Sequence, residues 1–129
     1  AVSAGISVTL LSQGLKKYFS APRPLEVFGP QHIHTVAWLN NNFQLSFPSG
    51  HTLGAFAFFT LYSFFLSKQY KPFSALFFML ACLCGLSRVY LGQHFVHDVY
   101  AGSIIGTVLM VCLYALMETF LFKKIHPFI

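Results

Sequence analysis

The sequence predicts an all-α fold, a polytopic transmembrane helical bundle with about four spanning helices, in one membrane-embedded domain over residues 1–129. Three observations carry that prediction. Hydrophobic residues make up 56% of the chain and charged ones 9%, against about 25% charged in an ordinary soluble domain, so a water-facing surface could hardly be covered. Four apolar stretches recur, about Val2 to Leu15, Thr52 to Leu66, Phe73 to Tyr90 and Val99 to Phe122. They are apolar on every face, so a buried soluble core would find no polar side to offer water. Helix breakers lie between them.

Each element follows from this pattern. Crossing a hydrocarbon layer takes roughly 20 helical residues, with about 17 as the practical minimum. The first stretch reaches that length if it runs on through Phe19, and Pro22 and Pro24 then end it. Leu25 to Phe47, with Pro30 and the run Asn40, Asn41, Asn42, reads as the one long polar loop. The second helix is long enough if it starts at Gly50 or His51. Lys68 and Lys71 flank a short turn before Pro72, the third and fourth stretches qualify directly, and Gly92 punctuates the link between them. Cys82, Cys84 and Cys112 fall inside apolar runs and read as buried thiols. The opening residues lack the charged flank and cleavage pattern of a signal peptide, so the chain reads as a trimmed piece of something longer.

The net charge of +5 comes from eight Lys and Arg against three acids. Most of these basic residues stand at the ends of apolar runs instead of covering a polar face, which argues against a nucleic-acid partner. Alternate threading puts Lys68, Lys71, Lys123 and Lys124 on one face of the membrane, with Arg23, Arg88, His94 and the long loop on the other. Short Lys-rich connections favour the cytoplasm, so the second face is expected to look outward, towards the periplasm of a bacterial inner membrane. Lys16 and Lys17 break that rule.

On the outward face, three separate segments bring ionisable residues to the ends of apolar helices, where they are costly unless paired or occupied. The first holds Lys16 and Arg23-Pro24, the second Pro48-Ser49-Gly50-His51, and the third Ser87-Arg88, His94 and Asp98. Lys16, Arg23 and Arg88 bring three positive charges with few carboxylates near them, so an anion is their natural complement, and guanidinium groups suit tetrahedral oxyanions. Ser49 and Gly50 opening a helix would aim backbone N–H groups at such an anion, although Ser49 alone could be a plain N-cap. His94 and Asp98, four apart, share a face if the fourth helix has begun there; the carboxylate then holds one ring nitrogen as N–H and leaves the other nucleophilic. Their alternative is a surface hydrogen bond. His51, arriving from another segment, could donate a proton to a leaving oxygen and later take one from water. A two-metal site would need several carboxylate or histidine ligands, whereas the acids are Glu26, Asp98 and Glu118 alone, so neither a metal nor any other cofactor is expected.

These segments resemble the three signature motifs of the type 2 phosphatidic acid phosphatase superfamily, Lys-x6-Arg-Pro, Pro-Ser-Gly-His and Ser-Arg-x5-His-x3-Asp, and fill every specified position in order. The resemblance runs from Lys16 to Asp98 and loosely beyond. It implies a lipid phosphate or pyrophosphate hydrolase among membrane lipids, with His94 forming a phosphohistidine, Asp98 orienting it and His51 as acid then base. It also implies that Lys16, Arg23, Ser49, Gly50 and Arg88 hold the phosphate, with Ser87 in support. Bacterial membrane members of that family commonly have six spanning helices, so two before residue 1 are expected to be missing here. A phosphotransferase with the same nucleophile, a vanadate-dependent haloperoxidase with a similar anion pocket, and a non-catalytic binder of lipid phosphates are the competing readings.

Other residues are given plainer roles. His32 and His34 lack a clear third metal ligand and read as loop histidines. His97 reads as interfacial. Tyr18, Trp38, Tyr90 and Tyr100 suit the aromatic belt at the outer boundary. Glu26 lies near enough in sequence to pair with Arg23.

Overall fold

A computed structural model describes residues 2–33 and 45–125 of the chain, which form helices and turns, with no strand among the described residues. Helix α1 (Val2–Phe19) stops where Ser20 takes a positive φ of 42°, with Pro22 just beyond. Pro24 then starts a short helix, α2 (Pro24–Phe28), inside what the sequence suggests is loop. The reason is local: a proline at the first helical position has its φ already set, and the Glu26 carboxylate suits the first turn. Helix α3 (Gly50–Phe65) begins directly after Ser49. A single 3-10 turn (Lys68–Tyr70) leads into α4 (Phe73–Tyr90), and Gly92, at φ 62°, makes the reversal into α5 (Val96–Ile125).

All four expected long helices form. By length and composition, Phe73–Tyr90 and Val96–Phe120 are able to cross a membrane unaided. The other two fall short for different reasons. Helix α3 has only 16 residues, about 24 Å at 1.5 Å per residue, while α1 carries Gln13, Lys16 and Lys17 in its second half.

Helix α3 lies at the centre, packed on α5, α4 and α1. Its closest approach is to α5, where Gly102 and Gly106, four apart, let the two backbones nearly touch. A Cβ on Gly102 would sit 2.8 Å from the Ser49 carbonyl oxygen, and one on Gly106 would run into the Leu53 carbonyl. Leu53, Ala57, Ala81 and Met110 fill the buried seam. The outer surface is the reverse of a soluble protein's: Phe78, Leu83, Leu86, Val108 and Phe120 are all more than half exposed, a surface suited to lipid.

The thiols differ from expectation. Cys82 and Cys84 are half-buried and Cys112 is exposed, because helices with lipid on one side need not turn a small apolar group inward. Tyr18, Tyr90 and Tyr100 are exposed, in keeping with a boundary belt. His34, Trp38, Asn40, Asn41 and Asn42 lie outside the described residues, as do the side chains of Lys123 and Lys124.

Candidate active site

The three motif segments converge where the last turns of α1 and α4 meet the first turns of α3 and α5. Backbone bonds tie the convergence together. The Ser49 N–H donates to the Asp98 carbonyl (3.1 Å), and the Ser46 N–H donates to the Ala21 carbonyl (2.9 Å), two residues before Arg23. Thus the segment entering α3 is fastened to both of the others.

His94 is 3% exposed and Asp98 is 0% exposed. His94 does not lie on a helix, as the four-residue spacing suggests, but in the bend that precedes α5. Asp98 instead works as an N-terminal residue of that helix, its Oδ2 accepting the Phe95 N–H at 2.9 Å. The same Oδ2 stands 3.6 Å from His94 Nδ1, longer than a hydrogen bond but close enough for the carboxylate to act on the ring. Nδ1 is therefore turned towards the buried carboxylate, which leaves Nε2 as the nitrogen able to face a ligand. Burial pushes His94 below the ordinary imidazole value; Asp98 pulls it back up, and Arg23 and Lys16 lower it further. The ring is neutral at neutral pH, the form that carries a lone pair.

The cations gather around this ring. Lys16 and Arg23 are both half-buried and within electrostatic reach of one another and of Asp98. His51 lies within reach of Arg88, His94, Lys16 and Arg23, which brings both imidazoles to the same end of the bundle. Gly50 makes room for Ser12 on α1: a Cβ there would stand 2.9 Å from Ser12 Oγ, while Lys16 Cε and Nζ would be in ordinary contact at 3.6 and 3.9 Å. Arg23 donates from Nη1 to Gln93 Oε1 at 2.7 Å, while its Nε is buried with no partner among the described residues. That leaves a guanidinium donor unsatisfied next to a histidine and a lysine, an arrangement an anion's oxygens would complete. Arg88 is steadied by Ser87: its Nε donates to Ser87 Oγ (3.2 Å), which in turn donates to the Cys84 carbonyl (2.7 Å).

Two expectations are corrected in detail. Ser49 is buried, and its hydroxyl meets Thr52 Oγ1 at 2.9 Å while its N–H is taken by Asp98, so neither polar group points freely at a ligand. Glu26 makes no ion pair with Arg23 among the described residues; Gln93, from the turn before α5, takes the guanidinium instead. His97 is 69% exposed, stacked on Phe95 with ring centres 5.3 Å apart, and its Nε2 lies 3.1 Å from Asp98 Oδ1. The two are close, yet Oδ1 has no aligned hydrogen-bond donor among the described residues.

The family model of the PAP2 superfamily matches residues 1–122. The chain belongs to the PAP2 superfamily. Phosphatidylglycerophosphatase B of Bacillus subtilis is 36% identical over 107 residues, covering 78% of this chain and 48% of its own length. Lipid phosphate phosphatase 1 of Arabidopsis thaliana is 41% identical over 93 residues, 64% of this chain and 26% of its own. Among solved structures, LpxE of Aquifex aeolicus superposes with a TM-score of 0.70 at 33% identity, covering 84% of this chain and 61% of that one. The transmembrane PAP2-type phosphatidylglycerolphosphate phosphatase of Bacillus subtilis gives 0.69 at 29% identity, over 92% and 57%. The chain thus spans about half or less of the curated relatives it matches. It is an integral membrane protein of this superfamily, built on the same helical fold as these transmembrane relatives.

Within the PAP2 fold, the motif residues are not the whole of the site. Ser46 donates to Asp98 Oδ2 at 2.5 Å and Gln93 holds Arg23. Ser12 sits against Gly50 one helical turn before Lys16 on α1. Only Ser12 has a sequence signal, its i, i+4 spacing from Lys16 on a helix that must face α3.

Proposed function

We propose that this PAP2 chain carries the catalytic half of a lipid phosphatase that hydrolyses a phosphate monoester or pyrophosphate through a phosphohistidine on His94. The observation that carries the reading is the setting of His94: a buried neutral ring with Nδ1 turned to Asp98 and Nε2 left open beside Lys16, Arg23 and His51. In the first step Nε2 attacks phosphorus, the bond from phosphorus to the leaving oxygen breaks, and His51 gives that oxygen a proton. In the second, His51 takes a proton from water, the hydroxide displaces the histidine nitrogen, and inorganic phosphate leaves. Lys16, Arg23 and Arg88, with the first-turn N–H groups of α3 from Gly50 onward, stabilise the charge on the transferring group.

Substrates of the class of phosphatidic acid, phosphatidylglycerol phosphate, undecaprenyl pyrophosphate or a lipid A phosphate fit a site at the end of lipid-facing helices. The names of the relatives, phosphatidylglycerophosphatase and lipid phosphate phosphatase, support that class. The carboxylates and histidines needed for two metal ions do not come together among the described residues. The test is phosphate release from a panel of micellar lipid phosphates by the full-length gene product. Release should persist with a chelator, and His94→Ala should lower it by about 10³-fold or more, the scale on which losing a catalytic nucleophile is felt. Full activity in that variant, or loss of activity in the chelator restored by a divalent ion, rules the mechanism out.

A further inference from the structure

Asp98 Oδ2 is the most crowded acceptor in the site. Ser46 Oγ donates to it at 2.5 Å and the Phe95 N–H at 2.9 Å, while His94 Nδ1 stands farther off at 3.6 Å. Ser46 Oγ also lies 3.4 Å from His94 Nδ1, nearer than the carboxylate does. Ser46 is 0% exposed and anchored through its own N–H to the Ala21 carbonyl at 2.9 Å, so the hydroxyl is fixed in place by the same bond that fastens the first motif to the second.

The direction of these bonds follows from donor counting. An ionised carboxylate only accepts, so at 2.5 Å the single hydroxyl proton of Ser46 belongs to Asp98. What the hydroxyl has left for His94 is a lone pair, and a lone pair facing Nδ1 requires Nδ1 to carry the proton. A neutral imidazole has one proton, so Nε2 is then bare. We propose that Ser46 is a positioning residue that sits between Asp98 and His94 and fixes the Nδ1–H tautomer, so that the Nε2 lone pair is held ready for phosphorus. At 3.4 Å the contact is at the long end of hydrogen-bond range, yet shorter than the 3.6 Å from the same nitrogen to Asp98 Oδ2. Ser46 lies outside the three motifs, two residues before Pro48, so no role for it follows from the family resemblance.

The inference rests on His94 as nucleophile, and its test keeps the two apart. Ser46→Ala in the full-length protein should lower kcat on a micellar lipid phosphate by 10- to 100-fold, a scale set by losing ring orientation and not the nucleophile. The KM and the inhibition constant of inorganic phosphate should stay within about twofold, because the cradle of Lys16, Arg23 and Arg88 is untouched. A kcat within twofold of wild type in Ser46→Ala, with His94→Ala inactive, overturns the role of Ser46 alone; activity in His94→Ala overturns the phosphohistidine reading beneath it. A variant that fails to fold leaves a second readout on the unaltered protein. With ¹⁵N-histidine labelling, and the His94 signals assigned by their loss in His94→Asn, the ring should show a protonated Nδ1 and a bare Nε2. A protonated Nε2 in the neutral ring overturns the proposal.

Discussion

At the scale of single residues, the charge on His94 makes a prediction about pH. Its proton is bound below the usual imidazole range because burial outweighs the pull of Asp98. If His94 is the nucleophile as proposed, it is competent above that lowered value and lost as pH falls through it, which gives kcat/KM an acid limb belonging to the free enzyme. Asp98→Asn removes a group that raises the histidine, so the limb should move to lower pH while the plateau drops by about 10²-fold or more, since the ring loses its orienting charge. Measured on one substrate for both proteins, a limb that stays put or moves up contradicts the assignment. Gly50 supports a second prediction. A methyl there overlaps Ser12 Oγ, one helical turn before Lys16 on α1, and relieving that overlap shifts the turn that carries the lysine, so Gly50→Ala should raise KM about tenfold, roughly 1.4 kcal/mol, with a smaller change in kcat. In a double-mutant cycle its effect should be largely absent when Ser12 is already Ala; independent, additive losses would show that the glycine does not act through Ser12. The motif residues at this scale are legible in the sequence because their types and spacings are peculiar to the chemistry. Ser46 and Gln93 are not, because their bonds to Asp98 and Arg23 join positions 52 and 70 residues apart, and an isolated serine or glutamine in a loop carries no mark of what the fold will bring to it.

At the scale of elements, hydropathy locates the four long helices to within a few residues, since burying apolar side chains in lipid requires them whatever the tertiary contacts. It fails where local chemistry decides, as with α2, nucleated by Pro24, and with α5, which starts at Val96 and so leaves His94 in the preceding bend. Hydropathy is equally silent on how the helices pair, which is set by the few positions where a side chain is missing. On α5 the pair Gly102 and Gly106 faces α3, and a Cβ on Gly106 meets backbone atoms of Leu53 and Ala57, which cannot swing aside as a side chain would. Gly106→Leu should therefore destabilise the bundle by about 2 kcal/mol, the middle of the range for overpacked sites, seen as a lower midpoint in denaturing detergent. Gly54→Ala is the internal control, because nothing lies within 4 Å of its added methyl, and the midpoint should hold or rise. Equal losses from the two would mean that the glycines matter for helix flexibility and not for the α3–α5 approach.

At the scale of the whole molecule, the charge pattern and the position of the site make a joint claim about the membrane. The last turns of α1 and α4 and the first turns of α3 and α5 all lie at the site's end, so the turn between α3 and α4, with Lys68 and Lys71, must lie at the opposite end. Lys71 donates from Nζ to the Ser63 carbonyl at 2.9 Å, capping the C-terminal end of α3 while its charge stays exposed, the setting in which lysines resist transfer across a bilayer. Lys16 and Lys17 oppose this on the site's side, but Lys16 is half-buried within electrostatic reach of Arg23 and Asp98, so one of the two is set by its neighbours in the site and not by the membrane's charge asymmetry. This charge pattern predicts a cytoplasmic α3–α4 turn and an outward site. Cysteine labelling decides it. In the full-length protein with Cys82, Cys84 and Cys112 changed to Ala, Gln31→Cys, exposed beside the site, should react with a membrane-impermeant maleimide in intact cells. Lys71→Cys should react only after permeabilisation. The reverse pattern would place the chemistry in the cytoplasm, and the lysines at the α3–α4 turn would then have to be explained by something other than topology.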